Sequence, residues 1–552
     1  MRDDVGQNRI NSQIQSALEA MNVDELRSSL REILLQLDRK GFSRFSDMLL
    51  TRASQAAGGW RAAKPARKDM VRVMNVIEVA LKTGYTEPDQ INDCLYLANQ
   101  AYLAREYQNA RVIFAALLPP LFDGEIDVGQ YELISEILTV DEDECVNRWL
   151  VSVYMRTPIE TRAGEIFKTL KECGGVREPL ARMERTALEA LPDFEIFLRH
   201  WDEYLKRLPH PATGRKVYYE NDTADWRREA IGRLEGVDGL ERHARKTREY
   251  DDLDVWCREV VRSRESATSP LEAYEISARL VKGKRHRATF LDRAARIAQE
   301  LGAKDVPVRL KAAWIAEPNL TRLVRLLGSG DVTKNAIRRR IPAILKKCPK
   351  KAHDQLALLY LLSGRPGDAA RLLTRAPGLG WSLDNHPGHI VFRSFAGLLA
   401  RDERDEISLA VFEELSEIPW SLDVDSPGNE LRFSTPSVHD LVFATRSGNK
   451  LKRADRAIML ASMQTATEHR LRAILGEKHR RYYDQVAMFM ACCVELAPQV
   501  GRENEFQNWF LEIKREFSRF SAFQQELGRI MQLKQTAAPP PSANPSPQET
   551  NV

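Results

Sequence analysis

The chain has 552 residues, of which 43% are hydrophobic and 29% are charged, and its formal net charge is +4. This composition is typical of a folded globular protein and excludes a mainly disordered chain. The length predicts either several domains or an elongated array of repeats. The first residues, Met1 to Asp4, are mostly charged, and the longest nearly apolar run, from Val486 to Val500, is too short to cross a bilayer. We therefore expect a cytoplasmic protein without a membrane-spanning segment.

The N-terminal region has the spacing of amphipathic helices. Asn22 is followed three residues later by Glu25, the pattern of a capping box, which predicts that a helix begins here. One face of this helix holds Leu30, Ile33, Leu34 and Leu37. The same periodicity continues along nearly the whole chain, as far as Leu511, Ile513, Phe517 and Phe520. The sequence therefore predicts an all-α fold.

Two stretches predict helical hairpins of the tetratricopeptide kind, in which small residues let two helices pack closely. The first hairpin holds Leu97, Ala98, Tyr107, Ala110, Phe114 and Leu117. The second holds Leu356, Tyr360, Gly364, Ala369 and Leu373. The units between them share no exact period, so the sequence predicts a degenerate α-solenoid of stacked helical hairpins, tetratricopeptide-like rather than a regular array.

Proline- and glycine-rich segments divide the chain. They predict linkers at 208–225, 376–389 and 419–437. The resulting blocks are an N-terminal helical block with a tetratricopeptide-like unit at 1–207, a basic helical-repeat block at 226–375 and a C-terminal helical block at 390–535. Residues 536–552 are rich in Pro and Ser, which predicts a disordered tail, with a proline-rich docking motif as the alternative. Short β-prone runs at 216–219 and 430–433 predict a small hairpin at most.

Three segments of the C-terminal half share a pattern of helix, turn and helix. They are Leu310 to Leu323 with Trp314 and Pro318, Leu356 to Leu373 followed by Trp381 and His386-Pro387-Gly388, and Tyr482 to Leu527 with Trp509. The pattern resembles the helical regions of bacterial SWIM-type zinc-finger proteins and their uncharacterised relatives, and implies an α-solenoid from Val306 to Ile530. The zinc module of that family needs Cys-x-Cys followed by Cys-x-His, and the chain has no Cys-x-Cys. The resemblance therefore implies no metal site here.

Charge is segregated along the chain. From Arg279 to Lys351 there are 20 Lys and Arg against 5 acids, whereas Leu121 to Leu150 holds nine acids and one base, Arg148. A basic surface can follow phosphates, but such runs are also typical of solvated helix faces and of ion pairs with acidic blocks of the same chain or a partner. The candidate contacts for nucleic acid or an acidic partner are Lys334, Arg338, Arg339, Arg340, Lys346, Lys347, Lys350 and Lys351.

The motifs of common enzyme classes are missing from the sequence. Gly283-Lys284 lacks the flanking residues of a phosphate-binding loop, and there is no Gly-x-Gly-x-x-Gly, His-Glu-x-x-His or Gly-x-Ser-x-Gly. We expect no catalytic or metal-binding residues and no cofactor. The seven cysteines are scattered, which predicts reduced and mostly buried thiols, the adjacent Cys492 and Cys493 included.

These observations predict a non-enzymatic helical-repeat scaffold that mediates protein–protein interaction in the cytoplasm. The first alternative is a nucleic-acid-associated component that uses the basic segment 279–351. The second is a cryptic helical ribonuclease, because some helical ribonucleases place an Arg a few residues before a His on one helix. Arg472 with His479 and Arg432 with His439 have that loose spacing.

Overall fold

Helices form wherever apolar residues recur at helical spacing. A computed structural model of the chain carries 25 α-helices in its described residues and confirms the predicted all-α fold. The described residues are 19–56, 59–129, 134–208, 219–263, 266–330, 333–381, 385–400, 437–446 and 451–536. They divide into two compact units, Met1–Lys246 and Thr247–Val552.

The first unit is built from eleven helices in its described part. They are α1 (Val23–Gln36), α2 (Arg39–Gln55), α3 (Arg67–Thr83), α4 (Pro88–Leu103), α5 (Tyr107–Phe122), α6 (Ile134–Ile137), α7 (Glu142–Arg156), α8 (Ile159–Glu172), α9 (Pro179–Thr186), α10 (Phe194–Arg207) and α11 (Tyr219–Thr247). Helix α11 is broken at Gly236, whose backbone is not helical. Successive helices pack on one another from α3 to α5 and from α7 to α8, and α5 packs on α7.

The local predictions for the first unit are confirmed. The Asn22 side-chain oxygen accepts hydrogen bonds from the backbone N–H groups of Asp24 and Glu25, each at 3.0 Å, and the Glu25 carboxylate accepts one from the Asn22 N–H at 2.8 Å. The predicted hairpin is the pair α4 and α5, in which Ala98 and Ala110 are fully buried. Small side chains at these two positions let the helix backbones approach closely.

Helix α11 belongs to the first unit, although a linker is predicted immediately before it. Trp226 is buried in the core of this unit, and its indole N–H donates to the Val176 carbonyl oxygen at 2.7 Å. The unit boundary therefore follows Lys246 rather than residue 207. A Pro- and Gly-rich segment marks a connection between helices, and the helix that follows it can return to the same core. The β-prone run 430–433 and the first three residues of the run 216–219 lie outside the described residues. The last residue of the latter run, Tyr219, is the first residue of α11.

The second unit contains the remaining fourteen helices of the described residues. They are α12 (Tyr250–Arg262), α13 (Pro270–Leu280), α14 (Lys284–Glu300), α15 (Val306–Ala316), α16 (Leu320–Gly328), α17 (Lys334–Leu345), α18 (His353–Leu362), α19 (Pro366–Arg375), α20 (Gly388–Ala400), α21 (Val438–Arg446), α22 (Arg453–Gly476), α23 (Tyr483–Leu496), α24 (Glu503–Glu516) and α25 (Ser521–Thr536). From α12 to α16 each helix packs on the next, as in stacked hairpins.

The later helices of this unit also pack out of sequence order. The predicted hairpin α18–α19 is present, but α19 packs on α22, and α23 packs on α25. One core runs from Ala295 to Ile530 and includes Trp381, whose ring stacks on Phe489 with centroids 4.9 Å apart. The predicted linker at 376–389 is therefore partly inside the core, and the blocks expected at 226–375 and 390–535 share it. Of the predicted tail, the described part is Thr536 at the end of α25.

Gly378, in the connection after α19, lies against the backbone of α22. A Cβ atom added there would be 2.1 Å from the His469 carbonyl oxygen. We expect Gly378→Ala to lower the free energy of unfolding by about 1 to 3 kcal/mol, because the connection must move away from the helix. Gly367→Ala is the matched control, since its added Cβ would meet no atom within 4 Å. Thermal or denaturant unfolding of both variants tests this, and equal stabilities would contradict the packed connection.

No helix among the described residues is long and apolar enough to span a bilayer.

Candidate functional site

Several cations of the predicted basic segment form ion pairs inside the fold. The Arg322 Nε donates to an Asp292 carboxylate oxygen at 2.7 Å, and the same guanidinium pairs with Glu317. Arg293 pairs with Asp254. These pairs join helices within the second unit, so their charges are neutralised by the chain itself. The net charge counted along the sequence therefore overstates the positive charge at the surface.

Three of the eight candidate residues contribute to packing. Arg340 donates to the carbonyl oxygens of Ser329 at 2.8 Å and of Leu327 at 3.2 Å, and so satisfies the carboxyl end of α16. Arg338 is half-buried, and one of its terminal nitrogens is 3.6 Å from the position of a Cβ built on Gly364, in the turn between α18 and α19. Lys334, the first residue of α17, is half-buried as well. These three residues are less accessible to a partner than the sequence predicts.

The other five candidates form an exposed group that we call the basic ridge. Its members are Arg339, Lys346, Lys347, Lys350 and Lys351. Within the described ranges, none of them lies within ion-pair distance of a carboxylate. Among the described residues, no carboxylate therefore offsets the positive charge of the basic ridge.

The lysines of the basic ridge stand on a loop that the fold holds in place. The backbone N–H groups of Lys347 and Cys348 both donate to the Ile344 carbonyl oxygen at 2.9 Å. Cys348 and Ala352 are buried, with 8% and 4% of their surfaces exposed. Because these two side chains point into the core, the lysines between and before them are directed to solvent. Arg339 lies about two helical turns before Lys346 and so on the same side of α17.

A second surface lies at the start of the first unit. Large apolar side chains of its first three helices are exposed, and we call this set the N-terminal apolar surface. The exposed fractions are 61% for Val23 and 86% for Leu35 on α1, 50% for Phe42 and 53% for Met48 on α2, and 53% for Val71 and 58% for Val79 on α3. Helix α1 has no buried residue at all. Single exposed apolar residues are ordinary, but such a concentration indicates an interaction surface.

The orientation of α2 explains why its apolar residues are exposed. Its polar side chains make the contacts with the rest of the unit: the buried Ser43 accepts a hydrogen bond from the Tyr96 hydroxyl at 2.8 Å, and the Gln55 amide donates to the Ala187 carbonyl oxygen at 3.0 Å. The Asp47 carboxylate accepts hydrogen bonds from the buried Arg148 guanidinium. The helix is thus attached by hydrogen bonds and charge, and it presents its large apolar side chains outward.

The strongest attachment of α2 is a buried ion pair. Arg148, on α7, is fully buried, and its two terminal nitrogens donate to the two Asp47 carboxylate oxygens at 2.7 and 2.6 Å. One of these nitrogens also donates to the Thr51 hydroxyl at 2.7 Å. The Arg148 guanidinium carbon lies 5.5 Å from the centre of the Tyr102 ring. Bidentate geometry of this kind fixes orientation as well as distance, so α2 is held rigidly.

Three cations lie beside the exposed residues of α3. Arg67, Lys68 and Arg72 are exposed, and within the described part of the chain none of them is within ion-pair distance of a carboxylate. They flank Val71, one of the most exposed apolar side chains of this surface. The N-terminal apolar surface therefore has a positive rim on α3.

The first Arg and His pair considered for nuclease activity, Arg472 with His479, is not assembled on one helix. Helix α22 ends at Gly476, before His479, and the two side chains have separate partners. Arg472 binds the Glu516 carboxylate, and His479 Nε2 is 2.8 Å from a Glu477 carboxylate oxygen. Of the second pair, Arg432 and the side chain of His439 lie outside the described residues.

The cysteines are free, and six of the seven are buried, as the sequence predicts. Cys493 lies with its sulfur 3.8 Å from the Thr467 hydroxyl, and burial raises the pKa of its thiol to about 12. Such thiols are poor nucleophiles and poor metal ligands, because both roles need the thiolate. In the described part of the chain, no three His, Cys, Asp or Glu side chains are placed to hold a metal ion.

Comparison with known proteins adds no family to this description. The chain matches no protein-family model, and no curated protein is similar to it in sequence. The resemblance to the helical regions of SWIM-type proteins therefore stays a prediction. What the chain does is inferred from its own surfaces.

Proposed function

We propose that this chain is a non-enzymatic helical-repeat scaffold of the cytoplasm that binds a protein partner through the N-terminal apolar surface. The inverted orientation of α2 is the observation that carries the proposal. Apolar side chains such as Phe42 and Met48 are exposed while Asp47 and Ser43 face the core of the unit. A helix that served only to cover the end of a repeat array would present its polar side outward, as terminal repeats do.

Burial of these side chains provides the binding energy. Each fully buried large apolar side chain contributes about 1.5 to 3 kcal/mol relative to leaving it in water. A few such residues at the centre of an interface usually dominate its affinity, and polar residues form the rim. We expect Phe42, Met48 and Val71 to be residues of this kind, because each is at least half-exposed.

The partner that fits best is an amphipathic helix with acidic residues along one side. Its apolar face would cover the exposed side chains of α1 to α3, as in recognition of a helix by an apolar surface. Its carboxylates would lie against Arg67, Lys68 and Arg72, which have no intrachain carboxylate partner among the described residues. Complementary charge of this kind raises the association rate and fixes the orientation of the bound helix.

The double variant Phe42→Ser, Val71→Ser tests the surface. We expect it to weaken partner binding at least about tenfold, because two central apolar contacts are lost. Its free energy of unfolding should fall by no more than about 3 kcal/mol, because about half of each side chain is already exposed in the free chain. The partner is first captured from nuclease-treated extract of the native cell, then purified and titrated against each variant by calorimetry.

The matched control is Leu301→Ser, Val308→Ser, which removes two similarly exposed apolar side chains from the second unit, 70% and 67% exposed. This control should bind the partner as the wild type does. Equal loss in both double variants, or no loss in either, would contradict the proposed surface. If Phe42→Ser, Val71→Ser instead converts a dimer into a monomer in light scattering, the occupant is a second copy and not an acidic partner helix.

A further inference from the structure

The basic ridge is a dense run of exposed cations on the second unit. Some other exposed cations of this unit stand beside a carboxylate, as in the pair Lys282 and Glu249 with its nitrogen and oxygen 3.4 Å apart. The four ridge lysines occupy six consecutive positions, from Lys346 to Lys351, and repel one another. A surface of this kind favours binding of a negatively charged ligand.

The surroundings of the basic ridge indicate which class of anion it fits. In the stretch of sequence that holds the ridge, from 316 to 457, no large apolar side chain of the described residues is exposed; Ile315 and Ile458, just outside it, are 46% and 44% exposed. Protein interfaces take most of their affinity from buried aromatic and apolar anchors, which this surface lacks. Phosphate backbones are bound by charge alone, because each neutralised phosphate releases condensed counterions. The surface therefore favours a nucleic acid over an acidic protein.

No Phe, Tyr or Trp ring is exposed among the described residues between 316 and 457, and this favours a duplex. Single strands are held largely by stacking of their bases on aromatic side chains. Tyr360 is half-buried, with the Arg365 guanidinium 4.9 Å from the centre of its ring, and Trp381 is buried. In a duplex the bases are already stacked on one another, and the phosphates alone are presented to the protein.

We propose that the basic ridge binds the phosphate backbone of double-stranded nucleic acid without reading its sequence. Arg339 on α17 and the loop lysines supply five cations from one ordered element. The loop that carries the four lysines is attached to the core by the buried Cys348 and Ala352, so its backbone holds these side chains in place. This binding is separate from the proposed protein interaction, which uses residues of the other unit.

The test is fluorescence anisotropy of the full chain with a labelled duplex of about 20 base pairs, over a series of salt concentrations. We expect the logarithm of the association constant to fall against the logarithm of salt with a slope near −4.5, about 0.9 for each of five cations. The variant Lys346→Gln, Lys347→Gln, Lys350→Gln, Lys351→Gln should flatten this slope by about 3 to 4 and weaken binding at low salt at least about tenfold.

The matched control is Lys284→Gln, Arg285→Gln, Arg287→Gln, which removes three exposed cations from the first turn of α14. It should change the duplex affinity less than about threefold. Circular dichroism melting of each variant checks that the fold is kept. The proposal is overturned if the wild type does not bind duplex at low salt, or if the control weakens binding as much as the lysine variant. Tighter binding of a single strand, or equal competition by polyglutamate, also overturns it and would point to a different ligand class.

Discussion

Replacing Arg148 with methionine should lower the free energy of unfolding of the first unit by about 3 to 5 kcal/mol. The Arg148 guanidinium is fully buried and donates to both Asp47 carboxylate oxygens and to Thr51. Methionine fills much of the volume but leaves the Asp47 carboxylate without its cation in a partly buried position, with 26% of its side chain exposed. Breaking a buried pair from one side costs more than the pair contributes, because the remaining charge is still desolvated.

The measurement is denaturant unfolding of the full chain, with hydrogen exchange of the α7 amides to report on the first unit. A double-mutant cycle with Asp47→Asn should show a coupling energy of at least about 1 kcal/mol. Arg111→Ala is the control, because its pair with Glu165 is partly exposed and should contribute no more than about 1 kcal/mol. Additive effects of Arg148→Met and Asp47→Asn would show that the pair does not hold α2.

The elements that the sequence predicts correctly are those set by near neighbours. The capping box at Asn22 and Glu25 is confirmed, because both residues lie within one helical turn. The hairpins α4–α5 and α18–α19 are confirmed for the same reason: their small and large residues recur within two adjoining helices. Helical periodicity needs no knowledge of distant residues, so the all-α class follows from the sequence.

Features that depend on distant residues could not be predicted. Arg322 is paired with Asp292, thirty positions earlier, and no local pattern indicates this neutralisation. Arg148 is the one base in an acidic stretch, and this pattern suggests a solvated surface. It is nevertheless completely buried, because it forms an ion pair with Asp47, more than a hundred residues away. The basic ridge residues and Arg340 are all among the predicted contacts. The structure distinguishes them, because Arg340 donates hydrogen bonds to backbone carbonyl groups and the ridge residues face solvent.

The two surfaces have different chemistry and lie on different units. The N-terminal apolar surface offers large apolar side chains with a cationic rim, whereas the basic ridge offers charge alone. The first is suited to a partner that contributes apolar area, and the second to one that contributes phosphates. Variants of each surface can be assayed against both ligands, so the protein-binding and nucleic-acid-binding proposals stand or fail separately.

Glu229 gives the first unit a pH dependence opposite to that of an ordinary exposed ion pair. Its carboxylate lies at the N-terminus of α9 and accepts hydrogen bonds from the backbone N–H groups of Leu180 at 3.1 Å and Ala181 at 2.6 Å. Burial raises the pKa of Glu229 to about 7 from its ordinary value of 4.5, more than these hydrogen bonds and the nearby Arg233 lower it. The folded state therefore holds a proton that the unfolded chain has released between pH 4.5 and 7.

We expect the contribution of Glu229 to stability to be fully present below pH 4.5 and to be lost as the pH rises through 7, a change of about 3 kcal/mol. Glu229→Gln keeps an oxygen that can accept from α9 but does not titrate. The free energy of unfolding of the wild type, relative to that of this variant, should therefore fall by about 3 kcal/mol between pH 4.5 and 7. Hydrogen exchange of the α9 and α11 amides measures this change. Near pH 6, unfolding of the wild type should release roughly one proton more than unfolding of the variant. A difference that stays constant with pH, or that grows in favour of the wild type as the pH rises, would show that the Glu229 carboxylate is ionised in the folded state and that the N-terminus of α9 outweighs its burial.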